Sequence, residues 1–272
     1  MCLLIAVSRL DPDTPLVIGA NRDERLDRPA TAVTVLQDAA PRIVGGRDEE
    51  AGGTWLAVNE DGVVAGLTNR PSRDGRDPTK RTRGELPLAL AQHRDARSAA
   101  ADLAARVRPE DYNPAWLLVG DRTSLFGIDM TAGTSPAVTA LGPGVHVLEN
   151  NPLGAPSAKV DHVRALLGDV ARRRGDELLG LLRRILADHS VPVGYEDGEV
   201  MALEAVADPD EGFRRPAVTL AACVHTETYG TRSGSVVAVP AGARAPRVWV
   251  ADGAPCTAPF EDAADLWRAP DA

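Results

Sequence analysis

The stretch ANRDERLDRP, Ala20 to Pro29, follows the apolar run Leu16-Val17-Ile18-Gly19. An apolar run that breaks into consecutive charged residues marks a buried strand passing into a polar loop, and such an end sets side chains at the rim of a sheet. Alone it reads equally well as a solvated turn. The residues before it decide. Leu3 to Val7 is a second continuous apolar run, and Asp-Pro-Asp-Thr-Pro at 11–15 supplies turn chemistry between the two. The chain therefore opens on a hairpin that leads from the polar strand end back to Cys2. Alternation puts Cys2, Leu4 and Ala6 on one face of the first strand; on the second, Asn21 and Asp23 share a face and Arg22 takes the other.

Working outward, Thr31 to Leu36 alternates and is β-branched, which predicts a third strand. The paired glycines of Gly45-Gly46-Arg47-Asp48 and Gly52-Gly53-Thr54-Trp55 predict a loop with positive φ or close backbone approach. Trp55–Val58 and Val63–Leu67 form a hairpin about Asn59-Glu60-Asp61-Gly62, which ends in the polar run Thr68-Asn69-Arg70-Pro71. Residues 72–83 are a charged loop, either solvated or a lid. Leu86 to Val107 has helical spacing broken near Arg94-Asp95, giving two helices. Trp116–Val119 and Ser124–Ile128 read as a hairpin, and Val145–Leu148 as a strand ending in Glu149-Asn150-Asn151-Pro152. Val160–Leu167 and Asp176–Ala187 are amphipathic helices, and 190–215 is a polar excursion. Val218–His225 and Ser235–Val239 predict a long hairpin, followed by a strand at Val248–Val250 and a short helix near Ala263–Trp267. Hairpins and helices alternate in blocks with no βαβ order, which argues for an α+β fold of antiparallel sheets covered by helices in one domain, residues 1–272.

Composition narrows the function. The 30 basic residues are outnumbered by 39 acidic ones, a net charge of −9, and aromatics are 4% of the chain. That balance excludes the basic footprint and stacking platform of a nucleic-acid binder. No apolar run reaches the roughly 18 residues of a membrane span, and the N-terminal MCLLIAV lacks the basic region of a signal peptide. Three cysteines, Cys2, Cys223 and Cys256, are no disulfide framework, so the expected setting is a reducing cytoplasm. The five histidines show no ligand spacing, so no metal and no cofactor is expected.

Chemistry concentrates on Cys2. Removal of Met1 before so small a residue would leave Cys2 as the N-terminus, its thiol beside a free α-amine of pKa about 7.7–8.0 against about 8.5 for the thiol. One residue then supplies both nucleophile and base. The thiolate would add to a carbonyl, forming an acyl-enzyme that water cleaves, with donors aimed at the oxyanion and an acceptor orienting the amine. The polar strand ends near Asp23, Asn69 and Asn150-Asn151 are sources of both. The other reading of Cys2 is a small buried hydrophobe.

Met1-Cys2, ANRDERLDRP, GGRDEEAGGTWLAVNEDGVVAGLTNRP at 45–71, RGELP at 83–87 and YGTRS at 229–233 together resemble the NRDE family, whose eukaryotic members are called transport and Golgi organisation protein 2. The pattern is also similar, more distantly, to the choloylglycine hydrolase and penicillin V acylase group of N-terminal nucleophile hydrolases. This resemblance implies a four-layer αββα sandwich and an N-terminal cysteine hydrolase acting on a non-peptide linear amide or related acyl bond of a small molecule. It implies Cys2 as nucleophile, Asp23 as the group orienting the amine, and Asn69 and Asn151 as oxyanion donors. Asn21, Arg22, Asn150 and Arg232 are candidate supporting or substrate-binding residues. That group also carries an Arg where Ala20 stands here, and a later Arg at a helix start for which Ser157-Ala158-Lys159 is the nearest segment. The alternatives are an acyltransferase of the same fold, or a non-catalytic carrier, since eukaryotic members are linked to haem and lipid handling.

Overall fold

The computed structural model describes residues 2–71, 75–131, 133–195, 198–201 and 214–268. The opening hairpin forms as the apolar runs predict: β1 (Cys2–Ser8) pairs antiparallel with β2 (Leu16–Arg25), Cys2 opposite Arg22 and Leu4 opposite Ala20. Then come β3 (Ala30–Gln37), β4 (Ile43–Asp48), β5 (Leu56–Asn59) and β6 (Val64–Asn69), followed by helices α1 (Glu85–Ala91) and α2 (Ala96–Arg106). β7 (Ala115–Gly120), β8 (Leu125–Asp129), β9 (Ala137–Leu141) and β10 (Gly144–Leu148) lead to α3 (Ala158–Leu167) and α4 (Gly175–Leu186). A small ribbon of β11 (Glu199–Met201) and β12 (Arg214–Pro216) precedes β13 (Tyr229–Val239), β14 (Arg247–Asp252) and β15 (Glu261–Asp262).

The long strands build two antiparallel sheets. One is a meander in chain order, β3-β4-β5-β6-β7-β8-β9; the other runs β10-β1-β2-β13-β14-β15 and joins distant segments. Alternation along β1 shows how they stack. Leu4 and Ala6 enter an apolar layer shared with Val44, Leu56, Val64 and Leu118 of the meander. Leu3, Ile5 and Val7 face the other way, against Val160 and Val163 of α3 and Leu182 and Ile185 of α4. The outer face of the meander, with Ala65 and Leu117, is covered by Leu86 and Leu90 of α1 and Leu103 of α2. Helix, sheet, sheet, helix is the four-layer αββα sandwich. No helix among the described residues is long and apolar enough to cross a membrane.

Two expectations change. Gly45 and Gly46 lie within β4 rather than in a loop. Their role is close approach: a Cβ on Gly45 would stand 2.1 Å from the Leu56 carbonyl oxygen, and one on Gly46 2.0 Å from the Trp55 ring. Val218–His225 is no strand of a long hairpin. Ala217–Leu220 forms a 3-10 turn, and β13 pairs instead with β2 and β14, leaving only a bridge between His225 and Gly230. An apolar run is buried in either conformation, and here β2 and β14 take both edges of β13. Of the expected loop at 72–83 and excursion at 190–215, residues 72–74, 196–197 and 202–213 lie outside the described residues.

Candidate active site

The end of β2 projects side chains to two sides. Arg22 stands directly across the ladder from Cys2, where cross-strand Cβ atoms lie about 4.5–5.5 Å apart. Arg22, not Asp23, therefore shares the face of the cysteine. On the opposite side, β13 carries a register shift between Thr231 and Ser233, beside Asp23 and Arg22. Such a bulge bends and twists a ladder locally. Cys2, Arg22 and Asp23 all line one cleft of about 90 Å³, joined by Asn69 from the end of β6.

On the Cys2 side the cleft is cationic. Arg22, Arg28, Arg76 and Arg83 line it against Asp23, Glu24 and Asp48. Arg28 Nε donates to Asp48 Oδ2 at 3.0 Å. The Arg22 guanidinium, in a residue 3% exposed, lies 4.5 Å from the Trp55 ring centre and 3.6 Å from Asp48 Oδ2. Its Nη1 and Nη2 are buried and find no hydrogen-bond acceptor among the described residues. Burial also lowers its pKa. Burial, then the charge of Arg76, brings Arg83 down to about 10. Cys2 is 6% exposed. Burial pushes its thiol up and the terminal amine's charge pulls it partly back; the Asp23 charge raises it further, and a backbone hydrogen bond at Asp23 and the Arg22 charge lower it.

On the other side most polar groups are engaged, although Asn21 Oδ1 finds no hydrogen-bond partner among the described residues. Thr231 Oγ1 donates to Asp23 Oδ1 at 2.6 Å, and Tyr229 Oη donates to the Asp23 carbonyl at 2.7 Å. Lys159 Nζ lies 3.6 Å from Asp23 Oδ2 and donates to the Thr219 carbonyl at 3.4 Å. Lys159 is 1% exposed. It sits in the first turn of α3, which is capped by Ser157 accepting from the Val160 N–H. Asn21 donates to the carbonyls of Leu186 and Ala222, fastening α4 and the 221–224 segment onto β2.

The sequence-predicted residues thus divide. Cys2, Arg22, Asp23 and Asn69 meet in the cleft. Asn21 faces the helix layer instead. Asn150 and Asn151 are buried nearby: Asn150 donates to the Asn69 carbonyl and Asn151 to the Glu149 carboxylate. Arg232 is turned away and donates to the Leu26 carbonyl. Sequence reasoning did not single out Lys159, Trp55, Arg28, Asp48, Arg76 or Arg83 as site residues. Asp48, Trp55 and Arg83 lie inside motifs already quoted, and Lys159 follows the helix-start serine, so these had a signal; Arg76 is one arginine among several in a charged loop.

Comparison with known proteins agrees with the motifs. The chain is 30% identical over 242 residues to the transport and Golgi organization protein 2 homolog of Bos taurus, covering 83% of this chain and 82% of that one. It is 27% identical over 235 residues to the Mus musculus homolog, with the same coverage. Among solved structures it is similar to a Caenorhabditis elegans N-acylethanolamine-hydrolyzing acid amidase ortholog, with 13% identity, 86% of this chain and 92% of that one covered, and a TM-score of 0.49. It is also similar to a mutant of the conjugated bile acid hydrolase of Clostridium perfringens, with 11% identity, 96% of both chains covered and a TM-score of 0.43. The family model for Transport and Golgi organisation 2 matches residues 1–245, and the chain belongs to that family.

Proposed function

We propose that the chain is an N-terminal cysteine hydrolase that cleaves a non-peptide linear amide or related acyl bond of a small molecule. The observation that carries this reading is the pairing of Cys2 with a buried guanidinium whose terminal nitrogens find no hydrogen-bond acceptor among the described residues. Unsatisfied buried donors cost free energy, on the order of 1–3 kcal/mol each, more when charged. A substrate carbonyl that becomes an oxyanion beside the thiol would satisfy them where charge develops.

In this reading the thiol gives its proton to its own α-amine once Met1 is removed. The sulfur then adds to the carbonyl carbon while Arg22 and Asn69 receive the oxyanion. Collapse expels the amine, which takes the proton, and water releases the acyl group from Cys2. Asp23, fixed by Thr231 and Lys159, orients the α-amine. Asn150 and Asn151 act one layer back, holding Asn69 and the Glu149 turn. The acyltransferase variant differs only in replacing water by an acceptor amine.

The family's name fits a second reading, a trafficking protein without chemistry, for which haem or lipid would be the ligand. The cleft opens to solvent, so its size favours neither reading. A screen of N-acyl amides and acyl thioesters with wild type and Cys2→Ala, alongside haem titration, separates the two. Hydrolysis lost in Cys2→Ala is the expected result. No turnover by either protein, with haem bound equally by both, would favour the carrier.

A further inference from the structure

On the surface below Asp23, three soft ligands that are far apart in sequence converge. Cys223 Sγ lies 3.5 Å from His225 Nε2 and 3.8 Å from Cys256 Sγ, and His225 Nε2 lies 3.1 Å from Cys256 Sγ. A tetrahedral zinc ion with Zn–S of about 2.3 Å and Zn–N of about 2.0–2.1 Å has an S···S edge near 3.8 Å and S···N edges near 3.5 Å. Two of the three observed edges match that face, and the third, His225 to Cys256, is about 0.4 Å shorter. Two thiolates and an imidazole suit zinc rather than a hard cation.

The backbone beneath the ligands is fixed. The Cys223 N–H donates to the Asp188 carbonyl at 2.7 Å, and the turn carrying Cys256 is closed by Thr257 and Ala258 N–H groups on the Ala254 carbonyl. Cys223 is buried, Cys256 is half-buried and His225 is exposed. One side of the site therefore faces solvent, where a water can complete four-coordination. The His189 ring stands edge-on to His225, with centroids 6.1 Å apart.

We infer that Cys223, His225 and Cys256 form a zinc site that ties the segment before β13 to the turn after β14. Zn²⁺ binds as both thiols give up their protons to solvent, so no oxidant or reductant is involved. The consequence reaches the cleft by two hydrogen bonds. Val224, between two of the ligands, donates through its N–H to Thr231 Oγ1 at 2.8 Å, and Thr231 donates to Asp23 at 2.6 Å. Metal bound here clamps the partner that fixes Asp23.

The test uses untagged full-length chain, reduced with a phosphine, in zinc titrations against a chromophoric chelator. Wild type is expected to bind one zinc per chain with release of protons. Its Tm is expected to rise by roughly 5 °C at a hundredfold excess over Kd. Cys256→Ser and His225→Ala should each weaken binding at least about tenfold, since even outer-shell changes cost about 10–100-fold. Cys2→Ala should bind as wild type does. Cobalt(II) should give a sulfur-to-metal charge-transfer band in wild type that Cys256→Ser diminishes. Should Cys256→Ser fold poorly, the exposed His225→Ala carries the comparison. Equal zinc affinity in wild type and the folded variants, loss of zinc only in Cys2→Ala, or no binding by the reduced wild type would each overturn the assignment.

Discussion

The two sides of the β2 end are built alike in sequence and differently in satisfaction. Toward the helices, Asn21 and Asp23 are met by backbone carbonyls, a threonine hydroxyl and a buried ammonium. Toward the meander, Arg22 is equally buried, yet its terminal nitrogens meet an aromatic face and a carboxylate beyond hydrogen-bonding range. Residues one apart in a strand thus serve different ends. Each side holds an ion pair at 3.6 Å, and the difference is one of degree: the helix side adds several hydrogen bonds and leaves Asn21 Oδ1 unmet among the described residues, whereas both Arg22 terminal nitrogens are unmet and give a ligand more to complete. Substituting one residue from each side should separate stability from activity.

Lys159→Met attacks the supported side and carries the largest expected effect. Removing one partner of a buried pair leaves Asp23 its Thr231 hydrogen bond but takes away the ammonium, a loss of about 3–5 kcal/mol in urea unfolding. A loss below about 1 kcal/mol would mean that the pair is weak and the contrast between the sides false. Arg22→Met attacks the other side. Turnover should fall by about 10²–10³, as when an oxyanion donor is removed. Stability should change by less than about 1 kcal/mol, because the buried cation gives up a desolvation cost along with its stacking on Trp55. A large fall in Tm with normal turnover by the remaining folded protein would reverse the assignment of the two sides.

In the meander, β3 and the β5–β6 and β7–β8 hairpins were legible because chain neighbours pair locally, whereas β4 and β9 were not read as strands. In the site sheet the first hairpin, β10, β14 and the second half of β13 were legible as strands, but beyond the first hairpin their pairing was not. β13 lies far along the chain from β2, and no local pattern tells the apolar run 218–224 to turn while 229–239 pairs. β4 was read as a loop because glycine is a turn signal unless one knows that Trp55 and Leu56 press against it. Cys2, Asp23 and Asn69 were visible as polar residues at strand ends. Arg22 was placed on the correct side by alternation, yet only the ladder shows that this side is that of Cys2. Lys159 and the Cys223–His225–Cys256 cluster needed contacts across the chain that spacing does not carry.

A smaller effect follows from the thiol. Burial raises its pKa, and activity should depend on the neutral α-amine that takes its proton. The sign is therefore a rise with pH: kcat/KM should climb about tenfold per unit below an apparent pKa near 7.7–8.0 and then level. A profile that is flat from pH 6 to 9 would remove the amine from the mechanism.

The central claim is that Cys2, freed of Met1, is the acylated nucleophile, and intact mass spectrometry after brief exposure to an acyl thioester tests it most directly. The account predicts a chain lacking only Met1, one acyl group added, and that group mapped by peptide analysis to Cys2 with Cys223 and Cys256 unmodified. Retention of Met1 in an active preparation, or acylation confined to Cys256, would contradict it.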